Sequence, residues 1–338
     1  MRELQRKGWI SDQHGAWTMM AFPPLLGWAL SFTFSWTVVL MLVAWAMAFQ
    51  MFSAVCLWVK TPAKRRSRIA PAVLTYGVLA ALPGATLLAL RPQLLWWAIA
   101  FVPLASSAIY LVWKGRERSL GARAASILAG GIMGPVAFSL ATADGSPTAV
   151  TPHAWAACTV FTLHYVGTVP LVRSMIRGRK DSRWATGAVL FHACCTLGVT
   201  AAWWFGALAI WPVLMWACLT ARAWVMPTLN RTRARPFSPK LIGFSELGWS
   251  LLLIASLLIP YVAGPRWVVM GASVSSGAPI GMLTLRTDAH SAREFGGHGQ
   301  ETVVLLARAD RDSHAHTEGA HDEADARACL DEAVDVAS

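Results

Sequence analysis

Residues 36–59 read WTVVLMLVAWAMAFQMFSAVCLWV and residues 60–68 follow as KTPAKRRSR. The first stretch holds no charge, and at about 1.5 Å per helical residue it is long enough to cross the roughly 30 Å of bilayer hydrocarbon. The second holds five cations in nine residues, the kind of flank that stays on the cytoplasmic face. A span followed by a basic loop is therefore the unit from which the fold is read.

The unit recurs along the chain. Apolar runs are expected to form spans at about Gly15–Phe34, Trp36–Val59, Ile69–Leu90, Leu94–Trp113, Leu120–Thr142, Pro152–Val172, Trp184–Trp204, Leu208–Met226 and Leu241–Ala263. The first carries Pro23, Pro24 and Gly27, which predict a kink or half-helix. It is too long for a signal peptide and lacks a small-x-small cleavage site, so it is expected to be retained.

Loop charges test the count. If the N-terminus is inside, the inner connections hold Lys60–Arg68, then Lys114, Arg116, Arg118 and Arg123, then Arg173–Arg183, then Arg231–Lys240. The outer connections hold only Arg91 and Asp144. The expected fold is an all-α membrane protein of nine transmembrane helices, N-terminus in and C-terminus out. It divides into a cytoplasmic segment (1–13), a nine-helix domain (14–264) and a polar acidic tail (265–338) that is expected to be disordered.

Composition supports this class. The chain is 55% hydrophobic and 14% charged, where a soluble domain is about a quarter charged. All eighteen tryptophans lie at or before Trp267, and indoles favour the bilayer interface. The net charge of +11 is uneven: 24 Lys/Arg oppose 6 Asp/Glu through Leu285, and 5 oppose 12 from Arg286 onward. Because the cations sit in short loops and not on one solvated face, nucleic acid is not an expected partner. Cys56, Cys158, Cys194, Cys195 and Cys218 fall inside apolar runs and read as small hydrophobes. No zinc spacing occurs. His314, His316 and His321 among acidic residues suit either loose metal binding or simple solvation of the tail, the latter favoured.

Ionisable groups inside spans are costly and mark function by default. Counting helical rise puts His164 roughly 14 Å, His192 roughly 12 Å, and Arg222 and Glu246 roughly 8–9 Å from the inner surface. Gln50 lies near the level of the histidines, and His14 stands at the mouth of the first span. Most intramembrane polarity thus falls in the cytoplasmic half, which suggests a cavity open on that side. The bland alternatives are that Arg222 and Glu246 merely neutralise each other and that each histidine bonds a neighbouring helix. Likewise Gly115-Arg116-Glu117-Arg118-Ser119 and Arg177-Gly178-Arg179-Lys180 are either positive-inside anchors or sites for an anionic headgroup.

Gln13-His14-Gly15-Ala16-Trp17, the 115–119 and 177–180 stretches, His192 and Ile242-Gly243-Phe244-Ser245-Glu246, in this order, resemble the YwiC-like bacterial integral membrane proteins over roughly residues 8–263. That resemblance implies a multi-pass protein of the bacterial cell membrane and says little about activity. The nine-helix plan is also similar, more distantly, to the UbiA superfamily of prenyltransferases. Those enzymes hold Mg²⁺ through two aspartate-rich motifs, whereas the matching loops here offer only Asp181 amid positive charge. No cofactor is assigned.

Three functions are weighed. The first is a UbiA-like bundle acting on an isoprenoid or other anionic lipid. Here His14, His164, His192 and Glu246 would be the acid/base groups, and Gln13, Trp17, Gln50, Glu117, Arg118, Arg179, Lys180 and Arg222 the ligand-holding set. The second is a transporter of a small anion or proton-coupled solute, with Arg222, Glu246 and the histidines as relay. The third is a non-catalytic accessory protein. The bilayer, with a lipid or small anion, is the expected partner.

Overall fold

The computed structural model describes residues 2–11, 16–116, 119–179, 181–233 and 235–262. Among these the chain is helical, without a strand. A short lead, α1 (Arg2–Arg6), precedes α2 (Ala16–Ser31), α3 (Trp36–Lys60), α4 (Ala70–Leu90), α5 (Ala98–Trp113), α6 (Leu120–Thr142), α7 (Pro152–Met175), α8 (Ser182–Trp204), α9 (Ile210–Thr232) and α10 (Pro239–Val262). Short 3₁₀ turns occupy Ala63–Arg68, Pro92–Trp97 and Pro147–Ala149. Each long helix falls on an expected apolar run, with ends shifted by a few residues. The acidic tail lies outside the described residues.

Among the described residues, seven helices are long and apolar enough to cross a membrane: α3, α4, α5 with its lead from Pro92, α6, α7, α8 and α10. The chain is a multi-pass membrane protein. Two of the nine expected spans fall outside this set, for different reasons. α2 has 16 residues, about 24 Å of helix, short of the hydrocarbon thickness. It stops at Ser31, whose hydroxyl turns back to the Trp28 carbonyl, and Phe32 takes a left-handed φ of 50°. α9 has 23 residues and fails on composition, because Arg222 sits in its middle.

α6 and α7 form the centre. In their most apolar stretches 67% and 50% of residues are buried, against 6% in α4, which therefore turns most of its surface outward to lipid. α2 packs closest on α6, and glycine permits it: a methyl group at Gly27 would run into the Gly134 carbonyl, and one at Gly130 would press on the Met19 carbonyl. Small residues at crossings are how apolar helices gain contact where lipid is as apolar as the side chains. Trp45 on α3 donates its indole N–H to the Met20 carbonyl at 3.0 Å, adding a polar tie to α2.

Helix starts follow their sequence signals. The Ser119 and Thr151 hydroxyls accept from Ala122 and Ala154 amides, and the Asp181 carboxylate accepts from the Arg183 amide. The N-terminal segment lies at the end of the bundle that bears the basic 63–68 turn. Gly8 abuts Ile69 there, and the Tyr76 hydroxyl donates to the Trp9 carbonyl at 2.7 Å.

Candidate functional site

The polar residues of α7–α10 meet. On α9, Trp216, Leu219, Arg222 and Ala223 recur at helical spacing and are all buried. On α10, Glu246, Trp249 and Ser250 share a face through their i, i+3, i+4 spacing. Arg222 Nη2 donates to Glu246 Oε2 at 3.1 Å, and its guanidinium lies 5.4 Å from the Trp249 ring centre. Arg222 is 4% exposed, so the pair is formed inside the protein and carries no net charge.

The two histidines, both at 0% exposure, flank this pair, and Arg222 is within electrostatic reach of each. For neutral rings, the form that full burial beside a cation favours, their hydrogen bonds assign the ring proton. His192 Nδ1 lies 2.8 Å from the Ala188 carbonyl, which only accepts, so Nδ1 is the donor and Nε2 keeps a lone pair. His164 Nε2 lies 3.1 Å from Ser250 Oγ, and that hydroxyl spends its proton on the Glu246 carbonyl at 2.8 Å. With the hydroxyl proton so placed, a neutral His164 donates from Nε2 and keeps its lone pair on Nδ1. The His192 ring reaches α7 only because residue 167 is glycine; a methyl group there would stand 3.0 Å from Nε2.

Several buried polar atoms here have no hydrogen-bond partner among the described residues. They are the acceptors His164 Nδ1, His192 Nε2 and Glu246 Oε1, and the donors Arg222 Nε, Arg222 Nη1 and Trp216 Nε1. The Trp216 ring centre is 5.8 Å from that of His192. Unmet polar groups in an apolar interior cost of order 1–3 kcal/mol each, so natural proteins keep few of them. Six such atoms belong to five residues of this cluster.

A groove of about 480 Å³ runs between α7 and α8, lined by residues such as Trp155, Thr159, Leu163, Phe191, Cys195 and Val199. Leu163 and Phe191 line one part of it, whereas His164 and His192, one residue on and about 100° further round their helices, do not. Another part is lined by Trp155 and Ala202. Apart from Thr159 and the cysteines, its walls are apolar. A smaller hollow of about 300 Å³ is lined by Tyr110, Leu111, Lys114 and Arg116.

Of the residues singled out from sequence, His164, His192, Arg222 and Glu246 are brought together. Trp17 stacks edge-on against Phe49 at 5.4 Å, and half-buried Gln50 lies on α3, whose neighbours are α2, α4, α5 and α6. Arg179 donates to the carbonyls of Arg231 and Arg233 at the end of α9. Gln13, His14, Glu117, Arg118 and Lys180 lie outside the described residues. α2 nevertheless touches α7 beside the cluster, where the Tyr165 hydroxyl donates to the Thr18 carbonyl at 3.1 Å.

Sequence reasoning passed over Ser250, Trp249, Trp216 and Gly167. The i+3 and i+4 positions after Glu246 were the available signal for the first two; nothing local marks the others. Among the described residues no group of three or more His, Cys, Asp or Glu is placed to hold a metal ion.

A family model described as YwiC-like protein matches residues 10–138, a narrower stretch than the expected 8–263 and one that ends before the cluster. A protein of Haemophilus influenzae described as uncharacterized is 28% identical over 191 residues, which cover 56% of this chain and 76% of the relative. No solved structure matches the chain, and the likeness to the UbiA superfamily gains no support from these comparisons.

Proposed function

From its similarity to the YwiC-like proteins, we propose that this chain is a nine-span protein of the bacterial cell membrane with a cytoplasmic N-terminus, and that it binds a lipid such as an isoprenoid. The lipid chain lies in the α7–α8 groove and its polar end reaches the α7–α10 cluster. What supports the reading is that α7 and α8 form an apolar groove and also carry His164 and His192, two of the residues with unmet buried polar atoms. An amphiphile satisfies both parts at once, the groove by removing apolar surface from lipid disorder and the cluster by hydrogen bonding.

In this reading His164 and His192 present lone pairs to the polar end, while Arg222 donates to it and Glu246 holds Arg222 in place. α2 and α9 cross the bilayer although neither does so on apolar length alone; α2 leans on α6 and α9 buries its arginine against Glu246. Arg91 and Asp144 stay outside, and the basic connections stay in.

The test is lipid analysis of purified protein extracted with its native annulus. Wild-type protein is expected to carry one enriched lipid that is lost in Leu163→Trp, which fills the groove without touching the cluster. Identical lipid profiles in the two would refute the reading.

A further inference from the structure

We propose that the hollow at the end of α5 binds the phosphate group of an anionic lipid. This site stands apart from the α7–α8 groove and does not depend on what that groove holds. Its geometry begins with the way α5 stops. The Arg116 amide bonds back to the Leu111 carbonyl at 2.8 Å and the Gly115 amide to the Val112 carbonyl at 2.9 Å, while Gly115 takes a left-handed φ of 68°. This is the pattern by which a glycine ends a helix and folds the chain back on its last turn. Arg116 is thereby returned towards Leu111, and it lines the same hollow of about 300 Å³ as Tyr110, Leu111 and Lys114.

Two cations and a phenol therefore converge. Lys114 Nζ lies 4.8 Å from the Trp113 ring centre and 5.8 Å from that of Tyr110, so two rings steady the ammonium. Among the described residues neither Lys114 nor Arg116 has an acidic partner. Over 114–118 the sequence sets Lys114, Arg116 and Arg118 against Glu117 alone, so the balance stays positive with that acid counted. Phosphate oxygens accept from an ammonium and from the two-pronged guanidinium, both as charge-assisted bonds. The Tyr110 hydroxyl is a third donor. The volume lies at the low end for ligand sites, which suits a headgroup and not a whole lipid.

A free phosphate ester offers the same chemistry; the flank of the hollow favours lipid. Val102, Ile109 and Trp113 are exposed and recur on one face of α5. α5 is part of an apolar helix long enough to cross a membrane, and this face ends one residue before Lys114. An acyl chain lies along it while the phosphate meets the cations. General attraction to an anionic leaflet acts on any exposed cation at this end of the bundle, such as Lys64 and Arg65 of the 63–68 turn. The hollow adds fixed donors around a recess.

The experiment titrates full-length protein in detergent with phosphatidylglycerol, phosphatidylcholine and inorganic phosphate, and reads bound lipid by native mass spectrometry. Wild-type protein is expected to take phosphatidylglycerol ahead of phosphatidylcholine. Lys114→Gln with Arg116→Gln is expected to weaken that binding about tenfold or more, the scale of a lost hydrogen bond to a charged group. Lys64→Gln with Arg65→Gln removes the same charge from the neighbouring turn and is expected to change it little. Equal losses in the two double variants overturn the proposal in favour of diffuse attraction. Equal uptake of the two lipids by wild-type protein overturns it as well, and displacement of phosphatidylglycerol by inorganic phosphate at comparable concentration overturns the lipid assignment. All four altered residues are exposed, so both variants are expected to fold. Lipid held in the α7–α8 groove is common to both variants and cancels in their comparison, which keeps this test separate from that of the groove.

Discussion

Arg222 on α9 and Glu246 on α10 meet at 3.1 Å with the guanidinium 2% and the carboxylate 15% exposed. Neither is satisfied by the other alone, since Arg222 Nε and Nη1 and Glu246 Oε1 remain unmet among the described residues. Glu246→Gln is expected to strand a buried cation and to destabilise the protein by about 3–5 kcal/mol. The double change Arg222→Met with Glu246→Leu is expected to restore most of that loss, because matched apolar side chains cost little where a lone charge costs much. Unfolding of the two variants in nanodiscs measures this; equal destabilisation would mean that the pair is not the reason.

The close crossing of α2 and α6 predicts a steep response to a single carbon. Gly27→Ala drives a methyl group into the Gly134 carbonyl, backbone against side chain, with no flexible group to yield. A loss of about 1–3 kcal/mol is expected. Gly84→Ala, where nothing lies within 4 Å of the new atom, is expected to be neutral or slightly stabilising through helix propensity. Parallel thermal unfolding of the two variants checks the contrast.

At the basic end of the bundle two polar residues on neighbouring segments are expected to behave differently. Asn230, at 0% exposure, donates to the Met175 carbonyl and accepts from the Phe237 amide, each at 2.8 Å. Asn230→Ala leaves both backbone groups unpaired and is expected to cost about 2–6 kcal/mol by the sum of two such groups. Arg179, exposed where it donates to the α9 terminus, is expected to cost less than about 1 kcal/mol on change to Ala. Unfolding curves of Asn230→Ala and Arg179→Ala rank the two; a large loss from Arg179→Ala would give that residue a role beyond capping α9.

The nine crossings proposed above would make a definite pattern of sidedness. Reporter fusions joined after residues 64, 146 and 264 are expected to read inside, outside and outside. An inside signal at 264 would remove one crossing, and α9 or α2 would be the helix that lies along the surface.

The helices themselves were legible because bilayer thickness and loop charge are properties of the sequence: Leu120–Thr142 is both the expected and the observed α6. The 3₁₀ lead into α5 was not, since Pro92 opens a turn that hydropathy alone reads as more helix. Depth counting put His164, His192, Arg222 and Glu246 in one leaflet, but it fixes height along the bundle and not which way a side chain turns, so their meeting was not legible in the sequence. Trp17 and Gln50 share that limit: they have suitable chemistry at a suitable level and lie on or beside α3, away from the cluster. Gly167 was invisible because its role is to be missing a side chain where another helix brings an imidazole.

A bacterial membrane holds a voltage across its thickness, and moving one unit charge through it is worth about 2.3 kcal/mol per 100 mV. Arg222 and Glu246, being in contact, occupy nearly the same point in that field, and their opposite charges cancel in it. In the proposed bacterial cell membrane, the resting potential would therefore neither pull α9 against α10 nor store work in their pairing. A neutral guest arriving at the cluster would leave that balance untouched, so its occupancy would be indifferent to whether the cell is energised. A proton taken up there would break the balance and make the same site electrically sensitive.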